Sequence, residues 1–71
     1  MREVYVNATA FDKNSNESFS KTIIAGTKNE FDRKVSEFEA AVPFTKWYMQ
    51  LEADEVLDEE QLKIVEDHEV I

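Results

Sequence analysis

The side chains best placed to do chemistry are carboxylates, crowded at one end of the chain. Glu52, Asp54, Glu55, Asp58, Glu59, Glu60, Glu66, Asp67 and Glu69 fall within the last twenty residues, beside a single base, Lys63. Asp54 with Asp58, and Glu55 with Glu59, stand four residues apart, so on a helix each pair would share a face and could share a cation. A calcium loop, however, alternates oxygen ligands around a mid-loop glycine, and this segment has neither feature. Glycoside hydrolysis needs two carboxyls across a sugar-binding cleft, which so short a chain can hardly enclose. The lone histidine, His68, stands among Glu66, Asp67 and Glu69 with no sign of a pocket and reads as a frayed surface side chain. Ser15, Ser18, Ser20 and Ser36 have no base at a recognisable spacing. Gly26 is the only glycine, which excludes a phosphate loop and a dinucleotide fingerprint. Asn7-Ala8-Thr9 and Asn16-Glu17-Ser18 match the glycosylation sequon, but nothing resembling a secretion signal accompanies them. The expectation is no catalytic residue, no metal and no cofactor.

What remains is binding. Residues 1–51 carry seven acids and seven bases, so the formal charge of −8 resides wholly in residues 52–71. Such a run serves either as a solvated, solubility-conferring end or as a surface for a protein partner with a basic face. Tyr5, Phe11 and Tyr48 can share an outer sheet face, and aromatics so placed can stack on bases. Phosphate binding nevertheless draws its affinity from Lys and Arg, so direct nucleic-acid binding is not expected of this acidic chain. An alternative contact is the sheet itself, through edge addition or a hydrophobic patch of Tyr5, Phe11, Ile24 and Tyr48, with a homodimer as one outcome. Val70 and Ile71 either dock into a partner or, as expected, fold back or fray.

These residues need elements to position them. Val4, Val6, Ala8 and Ala10 alternate with Tyr5, Asn7, Thr9 and Phe11, which predicts a strand. The polar stretch 12–17 reads as a hairpin loop, and Ser18 to Ala25 as a second strand ended by Gly26. Thr27 and Glu30 have capping-box spacing, and Phe31, Val35, Phe38 and Val42 follow as one apolar helical stripe that must stop before Pro43. Lys46 to Ala53 alternates again, with Trp47, Met49, Leu51 and Ala53 on one face. Asp58 and Gln61 repeat the capping box, with Leu57 and Leu62 as a hydrophobic staple, and Leu62 and Val65, with Ile64 as a further candidate, expected to face inward. The β-branched pair Ile64-Val65 also permits a fourth strand there; a short helix is the favoured reading.

The order is therefore ββαβα: an α+β fold in which one amphipathic helix packs on a small, mostly antiparallel sheet. Its 71 residues make a single domain, 1–71, with an acidic C-terminal region, 52–71. The absence of cysteine excludes disulfide scaffolds, zinc ribbons and thiol nucleophiles. No apolar run approaches the ~18 residues of a membrane span, so no membrane partner is expected and the cytoplasm is the expected compartment.

Compact, cysteine-free and acidic, with two capped helices and an acidic end from Glu52 to Glu69, the chain resembles the small phage-encoded early proteins that bind and disable host machinery. The resemblance is one of type across the whole chain and carries over no individual residue. It implies a stoichiometric inhibitor of a host enzyme or defence nuclease in the host cytoplasm; the acidic end itself, if its carboxylates are rigidly held, could occupy a groove meant for phosphates as a DNA mimic.

Overall fold

Alternating residues fold as they read. Val4–Asp12 forms β1 and Ser18–Ala25 forms β2, antiparallel neighbours in unbroken register from Val4 opposite Ala25 to Phe11 opposite Ser18. The polar stretch between them closes on Asp12, whose carboxylate accepts from Asn14 N at 3.1 Å and Ser15 Oγ at 2.7 Å. Lys28–Ala41 forms α1, and Trp47–Ala53 forms β3, which pairs antiparallel with the free side of β1. The sheet order is β2-β1-β3, so the strand nearest the start of the chain is the central one. Glu59–Ile64 forms α2 and completes the α+β order ββαβα. The computed structural model describes residues 2–71.

The apolar stripe of α1 lies on the inner sheet face. Phe31, Val35 and Phe38 are buried against Val4, Val6, Ala8, Ala10, Ile23, Ala25 and Leu51, with Val42 half-buried beside them. Two alanines in the central strand leave room for the Phe rings. Thr27 caps the helix by accepting from Glu30 N at 3.1 Å. The reciprocal bond runs one residue further back than the capping box predicts: Glu30 Oε1 accepts from Gly26 N at 2.7 Å. Val42 leaves the helix with extended backbone, as the residue before a proline must.

The second helix forms where expected and buries Ile64 and Val65, but Gln61 takes the inward place expected of Leu62. Asp58 makes a complete capping box with Gln61, and α2 runs to Ile64, which excludes the strand reading of that segment. Leu62 is 52% exposed rather than buried, while Gln61 is 1% exposed and Ile64 and Val65 join the core. The cap explains why. Gln61 folds back so that its Oε1 accepts from Asp58 N at 3.0 Å, and its Nε2 donates to Glu3 O at 3.1 Å. With Gln61 inside, the helical partners three and four residues on must be inside too, and Leu62 is left out.

Past Val65 the chain folds back. Val70 lies parallel to Leu51, Ile71 N donates to Leu51 O at 2.9 Å, and Ala53 N donates to Ile71 O at 2.7 Å. The last residues thereby cover part of the β3 edge. Both helices lie on one side of the sheet, and the outer face is left uncovered. Among the described residues, no helix is long and apolar enough to cross a membrane.

Candidate functional site

The nine acids of residues 52–71 belong to folded structure rather than to a tail, and the fold divides them. Arg2 reaches across from the start of the chain to Glu55 at 2.8 Å and Asp58 at 3.2 Å. Asp58 is also the α2 cap, accepting from Gln61 N at 2.9 Å. Lys28, at the head of α1, pairs with Asp67 and with Asp32. Asp54 accepts a hydrogen bond from Asn7 Nδ2. Four of the nine expected contact residues, Asp54, Glu55, Asp58 and Asp67, are thus bound internally. Glu52, Glu59, Glu60, Glu66 and Glu69 are exposed, with no ion pair or side-chain hydrogen bond among the described residues.

His68 belongs to the same set of ties and is not frayed. Its Nε2 lies 2.9 Å from Asp32 Oδ1, and its ring meets Phe31 edge-on with centroids 5.2 Å apart. Since an ionised carboxylate only accepts, Nε2 carries the proton and donates. Asp32 therefore receives Lys28 Nζ at 2.9 Å on one oxygen and His68 on the other. These two donors, Lys28 first, hold its carboxyl below the usual carboxylate range, while Asp67 and then Asp32 hold the Lys28 ammonium well above the usual lysine range. All four side chains are partly exposed, so solvent screens each pair, and the ties act collectively rather than singly.

The fixed acidic region encloses an apolar groove that sequence reasoning missed. Val56, Leu57, Leu62, Val70 and Ile71 line a cavity of about 500 Å³, with Glu55 at its rim. Val56 is 94% exposed, Ile71 68% and Leu62 52%. Three separate segments contribute: the link after β3, the outward side of α2 and the returning end of the chain. A signal for part of it was present, since Val56 follows Asp54-Glu55 with no periodic element to bury it. The exposure of Leu62 follows only from the inward turn of Gln61.

The outer sheet face is divided more sharply than its sequence suggests. Phe11 and Tyr48 stack at one end with centroids 5.1 Å apart, and Tyr5 pairs with Ile24 at the other. About 20 Å of strand separates Tyr5 from Phe11. Between them a polar ladder crosses the sheet: Thr22 Oγ1 donates to Asn7 Oδ1 at 3.1 Å, and Asn7 holds Asp54. The expected four-residue patch is therefore two small ones. Among the described residues, no cluster of three or more His, Asp or Glu side chains is placed to hold a metal ion. No protein-family model, curated protein or solved structure matches this chain.

Proposed function

We propose that this protein is a small, non-catalytic protein-binding module: a stoichiometric inhibitor that occludes the basic surface of a partner inside the cell. The acidic region, 52–71, supplies the contact. The observation that carries this reading is the pairing of an exposed apolar groove with five unpaired carboxylates on and beside the segments that frame it. Apolar anchors supply most of the binding energy in protein interfaces, and charged rims supply encounter rate and selectivity. A basic partner would place an apolar side chain among Val56, Leu62 and Ile71 and set its lysines and arginines against Glu59, Glu60, Glu66 and Glu69. Nucleic-acid-binding proteins carry such basic surfaces, and a host enzyme of that kind is the target class this reading implies. Because the segment is already ordered, little conformational entropy is lost on binding.

The test is a tagged pull-down from bacterial lysate at low and moderate salt, read by mass spectrometry. The control changes Glu52, Glu59, Glu60, Glu66 and Glu69 together to Gln. Asp58 and Asp67 are left intact because their loss would damage the fold itself. One stoichiometric basic partner, weakened by salt and lost from the control, is the expected result; capture that the five changes leave untouched sinks the mechanism.

A second reading, self-association through the outer sheet face, is favoured by the uncovered Phe11–Tyr48 stack. It requires that Tyr48→Glu abolish a dimer seen by sedimentation, while the five Gln changes leave that dimer in place.

A further inference from the structure

The two edges of the sheet are finished differently. Asp54 N donates to Tyr5 O at 3.1 Å, which turns the odd-numbered backbone groups of β1 toward β3 and the even-numbered ones toward β2. In β2 the residues opposite those even positions, Phe19, Lys21, Ile23 and Ala25, therefore pair with β1. Ser18, Ser20, Thr22 and Ile24 direct their N–H and C=O groups outward. Lys34 Nζ confirms the phase by donating to Ile24 O at 2.7 Å. The outward groups of Ser18, Ser20 and Thr22 have no hydrogen-bond partner among the described residues. On the far edge, by contrast, Val70 and Ile71 cover Leu51 and Ala53.

The open edge is regular and flanked by a groove. Register runs unbroken along β2, with no proline in it and no positive φ among the described residues. Beside it, Lys21, Ile23, Lys34, Glu37 and Phe38 line a cavity of about 300 Å³ between the strand and α1. A chain laid along β2 would place every second side chain over this groove, next to Phe19, Lys21 and Ile23. The intervening ones would lie beside Ser18, Ser20 and Thr22.

We infer that the β2 edge is a second docking site, which takes an extended segment of another protein as a fourth strand. The segment carries a carboxylate between two apolar residues on its groove-facing side. Backbone pairing supplies the affinity, Ile23 and Phe38 receive the apolar side chains, and Lys21 and Lys34 receive the carboxylate. A second copy of this chain fits less well. Antiparallel self-pairing brings Lys21 and Lys34 of both copies onto one seam, and lysine on an edge deters that association. This site stands apart from the acidic groove and does not depend on it.

The probe is a synthetic heptapeptide alternating threonine with leucine, glutamate and valine in that order, added to isotope-labelled protein. Hydrogen exchange at the Ser20 and Thr22 amides should slow as peptide is added, while the Phe19 and Ile23 amides, already paired, change little. Lys21→Glu with Lys34→Glu should weaken the peptide about tenfold, as loss of two exposed ion pairs implies. Ser20→Pro removes an outward N–H and breaks no side-chain hydrogen bond of the described residues, and should also abolish binding. Ser20 and Thr22 amides that stay fast at saturating peptide would overturn the inference. So would protection that rises with protein concentration alone, since that would make a second copy the occupant.

Discussion

Residues 2–51 and residues 52–71 are both ordered, but by different forces. The larger part is held by burial: Phe31, Val35 and Phe38 on one layer, Val4, Val6, Ala8 and Ala10 on the other. The smaller part contributes Gln61, Ile64 and Val65 to that core, packs Leu57 and Val70 against it, and is further fastened by polar ties from Arg2, Glu3, Lys28 and Asp32. Nearly every partner in those ties comes from the neutral part. An acidic region on its own would repel itself and remain open; here the rest of the molecule supplies the cations that fold it. The lesson is that the balance of charge in residues 1–51 is only formal, because two of its bases are committed to the acids of the other part.

Substitutions can break this contrast, beginning with the largest effect. Phe31→Ala, at a fully buried ring, should cost about 3–5 kcal/mol. A domain of this size has roughly 4–10 kcal/mol in total, so both regions should lose structure together in a denaturant titration. Gln61→Ala should cost about 2 kcal/mol, because Glu3 O and Asp58 N lose their partner in a buried setting. Exchange at residues 59–65 should rise more than exchange at Val6 or Ala8. Uniform loss of protection would show that the two regions do not separate.

Acid should then sharpen the difference. Asp32 has its carboxyl held low, so the stability it contributes is present above the ordinary value near 3.8 and is lost as pH falls through its lower folded value. Lys28 is held high, so its share is present below the ordinary value of 10.5 and is lost only as pH rises through its folded value. Between those limits these two groups keep the ties to Asp67 and His68 in place. Below them the Ile71 amide should gain exchange before the amides of β1, and Asp32→Asn should remove that step. The smallest expected effect is that of Glu59, Glu60 and Glu66 together to Gln: stability should change by about 0.5 kcal/mol or less, upward at low salt as repulsion is relieved. A large loss of stability in calorimetry would show that these exposed acids are structural after all.

The sequence makes some of this legible because the relevant interactions are local. The alternation from Val4 to Phe11, the Asp58–Gln61 box and the stop at Pro43 each depend on neighbours within a few residues. Strand order needed the register of Val6 with Ala53, which no short window contains. The divided outer face follows from Asn7 meeting both Thr22 and Asp54, and the pinned His68 from Asp32, thirty-six residues earlier. Leu62 faces outward because one amide side chain outcompetes it for the interior, a contest decided by the Glu3 carbonyl. Charge placement was legible as a region, but which of its carboxylates are free was not, since Arg2 and Lys28 select their partners through the fold.

The tie between Arg2 and Asp58, with Glu3 holding Gln61 nearby, has a consequence in time. Translation delivers Arg2, Lys28 and the central strand before the acids of residues 52–71, which follow over on the order of seconds. Until α2 and the Val70–Ile71 pairing are in place, the groove lacks two of its walls. A nascent or truncated chain therefore displays no finished acidic face, and premature termination products should be inert rather than partial competitors.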